Sequence, residues 1–323
     1  MLSQMQYRYL GRTGLKVSVL CLGTMQFGWS VSETDTYPVL DAAYAAGINF
    51  FDTADIYSFW AENNPGGVSE TYLGKWWRQQ NIPRHKLVLA TKVRGKMGDG
   101  PNEEGLSRVH IMHACEQSLK RLQTDYIDLY QAHWLDDNTP IEETLRAFDD
   151  LIKQGKVRYV GCSNYPAWRL MQALWTSEKA NLARFDSLQP HYSLVHRAEY
   201  ERELMEVCTT YGLGVIPYSA LAAGFLSGKY RAGQPLPDSV RQGAIAQYLT
   251  PQNFALLDQI DLLAAKYEKS VSQIALAWSI QQPAVVAPVI GARTIAQLED
   301  NLGAIGCALN GDELALLDKA SCW

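Results

Sequence analysis

Short β-branched or apolar runs recur along this chain with helical patterns between them, and their number constrains the fold more than any other feature. The runs are Val19 to Leu22, Asn49 to Asp52, Leu87 to Lys92, Ile127 to His133, Val157 to Ser163, Ser187 to Gln189, Gly214 to Tyr218 and Val285 to Val289. The helical patterns are Thr34 to Ala46, Ser69 to Gln79, Ser107 to Leu122, Ile141 to Gln154, Ala167 to Thr176, Glu199 to Tyr211, one long stretch from Gln252 to Ile280, and Ile295 to Ile305. Gly47, Gly155 and Gly212 stand just past three of these helices, where a left-handed residue commonly ends the helix. Eight β/α units predict a (β/α)8 TIM barrel of the α/β class. Ahead of them, Tyr7 to Leu10 and Lys16 to Val19 flank the turn Gly11-Arg12-Thr13-Gly14 and read as an N-terminal β-hairpin. A doubly wound open sheet is the alternative, but no Gly-x-Gly-x-x-Gly follows the first strand.

At roughly 100–200 residues per domain, 323 residues allow two domains or one large barrel. No Pro/Ser-rich linker, low-complexity tract or charge block marks a boundary, so residues 1–323 are expected to form one domain. A hydrophobic fraction of 47% supplies a large core, and 29 basic against 34 acidic residues give no excess charge for a nucleic acid. No run long enough to span a bilayer occurs and Met1 to Leu10 is too polar for a signal peptide, so no membrane partner and a cytoplasmic location are expected. Six cysteines without a CxxC pair suit buried thiols. His110 and His113 lack a third ligand nearby, so no metal is expected.

In a barrel the chemistry sits at the C-terminal ends of the strands. Asp52 ends the second strand with Tyr57 just beyond it, Lys92 ends the third and His133 the fourth. Singly, each has an ordinary reading as a turn cap, a rim ring, a solvated cation or a core histidine. Together they form a proton-transfer group. A tyrosine with a pKa near 10 needs a neighbouring cation to act as an acid near neutrality. Lys92 would be that cation, Asp52 would hold it, and His133 would orient a carbonyl oxygen or relay the proton.

At these residues the sequence resembles the aldo-keto reductase superfamily, from Tyr7 to the segment around Asn301. The resemblance is carried by Leu22-Gly23-Thr24-Met25, by Gly47 to Ala54 leading to Tyr57, and by Ala90-Thr91-Lys92. It continues through Ser118 to Tyr130 leading to His133, and through Gly155 to Asn164. It implies Asp52, Tyr57, Lys92 and His133 as a catalytic tetrad, with Tyr57 protonating a carbonyl oxygen as hydride arrives from NADPH. It likewise implies a cofactor site. Gly23, Thr24, Met25 and Asp52 border it, and Ser163, Asn164 and Gln189 hold the nicotinamide amide. Tyr218 stacks on the nicotinamide ring, and Ser219, Leu221, Gly224, Leu226 and Lys229 form the loop over the pyrophosphate. Gly291, Arg293, Gln297, Asp300 and Asn301 open the adenosine segment, where Arg293 could pair with a 2′-phosphate and favour NADP over NAD. Gly291 stands where some branches of the family carry a lysine.

Trp29, Phe59, Trp60 and Trp134 fall in loops near the tetrad and, with Tyr57 and His133, would wall a substrate site for an apolar or ring-bearing carbonyl compound. Only 22 residues follow Asn301, so a short C-terminal loop with one helix is expected. The leading expectation is an NADPH-dependent reductase of aldehydes or ketones, working in either direction on a small-molecule carbonyl or alcohol, with a homo-oligomer left open. A non-catalytic NADP(H)-sensing subunit, similar to potassium-channel β subunits, is the alternative. A phosphosugar isomerase or lyase with Lys92 as a Schiff-base amine is a third reading, and it leaves the cofactor segments unexplained.

Overall fold

A computed structural model of the chain describes residues 4–237 and 242–323. Strands β1 (Tyr7–Tyr9) and β2 (Lys16–Ser18) pair antiparallel across the Gly11 turn, as the hairpin pattern predicts. Eight parallel strands follow: β3 (Cys21–Gly23), β4 (Phe50–Asp52), β5 (Val88–Val93), β6 (Ile127–Ala132), β7 (Val157–Ser163), β8 (Phe185–Gln189), β9 (Gly214–Val215) and β10 (Val289–Gly291). They are ordered sequentially except that β10 pairs with β3. The remaining gap is closed by a parallel bridge between Val215 and Val285, with Val286 N–H donating to Val215 O at 2.8 Å and Val289 N–H to Pro217 O at 2.8 Å. The sheet is therefore the predicted (β/α)8 barrel.

Helices α1 (Glu33–Ala45), α2 (Val68–Gln79), α3 (Arg108–Leu122), α4 (Ile141–Lys153) and α5 (Ala167–Ala180) alternate with the strands. They are followed by α6 (Met205–Tyr211), α7 (Gln242–Ile245), α8 (Pro251–Tyr267), α9 (Val271–Ile280), α10 (Ile295–Leu302) and α11 (Gly311–Ala320). Gly47, Gly155 and Gly212 have φ of 91°, 72° and 67°, the left-handed stops expected of them. The expected C-terminal helix is α11, started by Asn310 and Glu313 as a capping box.

Two sequence expectations need correction. The stretch from Gln252 to Ile280 is two helices. Glu268 turns left-handed at φ 53°, and Ser270 with Gln273 forms a capping box that starts α9. The eighth strand lies at Val289–Gly291 instead of Val285 to Val289, because this run changes partners midway. Its start bonds to β9, and Pro288, which has no N–H, only accepts, from Cys21 N–H at 3.1 Å, before the chain joins β3.

The barrel interior and the hairpin share one apolar cluster, in which Leu10 and Val17 pack with Phe50, Val88, Leu129 and Ile216. Gly11 permits this: a Cβ there would stand 2.6 Å from Gly214 N and 2.7 Å from Gly212 O. Asn49 ties the hairpin to β4, accepting from Ser18 N–H at 2.8 Å and donating to Lys16 O at 3.0 Å. The hairpin thus plugs the N-terminal end of the barrel and leaves the opposite end open.

Candidate active site

At the open end, β4 delivers Asp52 and β5 delivers Lys92 into the barrel, both essentially without solvent exposure. The Lys92 ammonium has three N–H bonds, and all three find acceptors: Asp52 Oδ2 at 2.5 Å, Tyr57 Oη at 2.8 Å and Thr53 O at 2.9 Å. Asp52 Oδ1 accepts from two side-chain amides, Gln189 Nε2 at 2.8 Å and Gln131 Nε2 at 3.2 Å. A buried ion pair persists only when its remaining valences are filled, and here they are.

Tyr57 is carried by the loop after β4. Asp55 N–H donates to Lys92 O at 3.3 Å, and Ser58, left-handed at φ 72°, donates its hydroxyl toward Met25 O and Phe27 O at 3.2 and 3.1 Å. Since Tyr57 Oη accepts from Lys92, its own proton is the one left to give. The nearest protein acceptor is Asp52 Oδ2, at a long 3.4 Å. Burial, and then the Asp52 carboxylate, push the Tyr57 phenol well above its ordinary value, so it holds that proton. This runs against the expectation that Lys92 lowers it: burial and Asp52 dominate. His133 lies edge-on to Tyr57, with ring centroids 5.9 Å apart. Burial, then Lys92 and Arg94, push its imidazole well below its ordinary value, and it is neutral.

Above these groups opens a cavity of about 600 Å³. Tyr57, His133, Ser163, Asn164, Gln189 and Tyr218 border its inner end. This polar set is bonded internally. Ser163 donates to Gln189 O at 2.7 Å, Asn164 donates to Ser163 Oγ and to His133 O, and the Tyr218 hydroxyl donates to Asn164 Oδ1 at 2.9 Å. Gly23 and Met25 also border the cavity, as do Ser219, Leu221, Gly224 and Lys229 from the loop after β9. Gly291, Arg293, Gln297, Asp300 and Asn301 border it around the start of α10.

Three expected site residues lie elsewhere. Thr24 is buried behind β4, its N–H and hydroxyl both on Asp52 O. Leu226 is a core side chain, and Trp29 packs edge-on against Trp60 with centroids 5.5 Å apart, away from the cavity wall. Asp52 and Lys92 sit beneath the floor. Phe59, Trp60 and Trp134 border the mouth, and Trp134 stacks on His133 at 3.7 Å and 13°. Residues not singled out from the sequence also line it, among them Gln26, Ile56, Ser227, Ser272 and Ala296. Gln131 was missed although its signal was present: two places before His133 on one strand, it points to the same interior. Ser272 sits on α9 and has no local signal.

The lining fits an elongated dinucleotide with an anionic middle. Ala222, Ala223 and Gly224 are all left-handed, at φ 49°, 54° and 100°, and the loop is closed on itself by Ala222 N–H on Ser219 O at 2.7 Å and Gly224 N–H on Leu221 O at 2.8 Å. Lys229 Nζ lies 3.8 Å from where a Gly224 Cβ would stand, and nothing lies within 4 Å of a Gly291 Cβ. Among the described residues neither Lys229 nor Arg293 has an ion-pair partner. No group of three metal-ligating side chains occurs among the described residues, and no helix among them is long and apolar enough to cross a membrane.

Residues 19–321 match the model of the aldo/keto reductase family. A protein from Bacillus subtilis called uncharacterized oxidoreductase YrpG is 41% identical, covering 97% of this chain and 95% of its own length. Versiconal hemiacetal acetate reductase of Aspergillus parasiticus is 33% identical over 98% of this chain and 96% of its own. A putative voltage-gated potassium channel subunit beta of Schizosaccharomyces pombe is 37% identical over 93% and 88%.

Proposed function

Because the chain belongs to the aldo/keto reductase family, we propose that it is an NADPH-dependent oxidoreductase that reduces an aldehyde or ketone to an alcohol, or runs the reverse, with Tyr57 as the general acid. NADPH, when bound, supplies the hydride. The chain's own residues then handle the proton and the geometry. Tyr57 gives its proton to the carbonyl oxygen, and Lys92, already donating to Tyr57 Oη, stabilises the phenolate left behind. Asp52, fixed by Gln131 and Gln189, balances the ammonium throughout. Neutral His133 can donate to the same oxygen or accept from an alcohol, which suits either direction.

Ser163, Asn164 and Gln189 would orient the nicotinamide amide, with Gln189 offering its oxygen and its second N–H, since one N–H is bonded to Asp52. The loop from Ser219 to Lys229 would take the pyrophosphate, and Gln297, Asp300 and Asn301 the adenosine. Arg293, free of ion pairs among the described residues, supports NADP over NAD. Phe59, Trp60 and Trp134 support an apolar or ring-bearing carbonyl substrate. All 323 residues are taken as one cytoplasmic catalytic domain acting on small molecules.

The observation that carries the reading is the single ammonium of Lys92 bonded to both Asp52 and Tyr57 at the floor of a dinucleotide-sized cavity. Its test is NADPH consumption over a panel of aliphatic and aryl aldehydes and ketones, with Tyr57→Phe alongside. Turnover by the wild type that the variant loses supports the enzyme. NADPH binding by both without turnover of any carbonyl by either supports the sensing alternative, which the similarity to the channel subunit favours.

A further inference from the structure

Behind the cavity wall made by Tyr218 stands a column of rings that the proposed reaction does not use. The Tyr218 ring lies nearly parallel to His191, 18° apart with centroids at 5.1 Å. His191 stacks in turn on His196, 14° apart at 3.7 Å. Tyr248 Oη is 3.3 Å from His191 Nε2, and the Glu199 carboxylate is 3.2 Å from His196 Nε2. Tyr218 borders the cavity, whereas His191, His196 and Tyr248 do not. The imidazole of His191 therefore covers a face of the Tyr218 ring from outside the ligand space.

Three chain segments meet in this column. His191 follows β8 and Tyr218 follows β9, and their backbones form a parallel bridge, with Tyr218 N–H donating to Pro190 O at 3.0 Å. Tyr248 belongs to a short 3-10 turn, Ala246–Tyr248, and its ring packs against Phe225 of the loop that borders the phosphate end. The Tyr218 ring is thus held at two points, by its hydroxyl on Asn164 and by its flat face on His191. A ring held in one plane before a ligand arrives loses less rotamer freedom on binding than a free one.

We infer that His191 is a positioning residue for the nicotinamide end of the site: braced by His196 and Tyr248, it holds the Tyr218 ring in the plane against which a flat heterocycle stacks. This rests on the proposed nicotinamide cofactor. The groups facing His191 are Tyr218 on one side, His196 with Glu199 on the other, and the Tyr248 hydroxyl at its edge. Burial, then His196, push its imidazole down to about 4, so the neutral ring belongs to the assembled column. A loosened column would take up a proton more readily, and affinity carried by the column declines as pH falls from about 6.5 toward 4.

The test is binding of NADP+, which tolerates acid, followed by quenching of tryptophan fluorescence in the full-length chain. His191→Leu keeps bulk without a flat ring, and the loss of a stacked pair should raise Kd roughly three- to tenfold. His191→Phe restores a flat face and should bind close to wild type, with the acid-side decline reduced. Circular dichroism of each variant verifies its fold, and Tyr248→Phe, which removes only a hydroxyl, should raise Kd less than His191→Leu. Equal Kd for wild type and His191→Leu overturns the inference, as does His191→Phe binding no better than His191→Leu. Absence of NADP+ binding by the wild type overturns the cofactor assignment itself, a result distinct from either.

Discussion

Lys92 spends all three of its N–H bonds inside the site, so its removal is felt twice. Lys92→Met leaves Asp52 buried beside an apolar chain and should destabilise the fold by about 3–5 kcal/mol, read as a lower denaturation midpoint in urea. Tyr57→Phe removes the transferable proton together with the oxygen that accepts from Lys92. It should lower kcat for carbonyl reduction by about 10²–10⁴ while Kd for NADPH changes little. Arg293→Ala should weaken NADPH much more than NADH, and equal weakening of both would remove the argument for NADP. At this scale much was legible, because Asp52, Lys92 and His133 stand within one residue of the C-terminal ends of successive strands and convergence follows from the barrel rule. What was not legible was the internal bonding. That Gln189 gives one amide N–H to Asp52, that Thr24 stands behind β4, and that Tyr57 is pushed up by burial all depend on neighbours distant in sequence.

Among the elements, the N-terminal hairpin makes the sharpest demand on one residue. Gly11 sits at φ 55° with Gly214 N 2.6 Å from its would-be Cβ, whereas a Cβ on Gly14 would meet nothing within 4 Å. Gly11→Ala should therefore cost about 1–3 kcal/mol of unfolding free energy, and Gly14→Ala close to none, by urea titration of each. Similar costs for both would show that the hairpin does not seal the barrel as described. Element order was read correctly from hydrophobic periodicity, and the glycine stops marked three helix ends. The breaks that were missed are local. Ser270 with Gln273 carries a cap signature inside an apolar stretch, and the eighth strand changes partner at Pro288 in a way no periodicity records.

For the whole molecule, the barrel separates stability from chemistry, with the hairpin plug at one end and every proposed catalytic group at the other. The net charge of −5 also conceals the site, since Lys229 and Arg293 make a local positive lining in an acidic protein. Three neutral histidines, the buried His110 and His133 and the half-buried His191, link the fold to pH. His110 is held below its ordinary value, His133 well below it and His191 at about 4, so at these imidazoles the unfolded chain binds more protons than the folded one as pH drops below about 6.5, while Asp186, pushed up to about 6 by burial, works in the opposite direction. The histidine share of the stability should accordingly fall as pH is lowered from about 6.5 toward 4, so that in urea midpoints across that range His191→Phe loses less stability on acidification than the wild type. The central claim, that this barrel moves a hydride from a nicotinamide to a carbonyl carbon with Tyr57 supplying the proton, is tested most directly by isotope. NADPH carrying deuterium at both C4 positions is incubated with the enzyme and an aryl aldehyde, and the alcohol is analysed by mass spectrometry. Wild type should place deuterium on the carbinol carbon, and Tyr57→Phe should form the same labelled alcohol about 10²–10⁴ times more slowly; alcohol formed without deuterium, or formed by the variant at the wild-type rate, would contradict this.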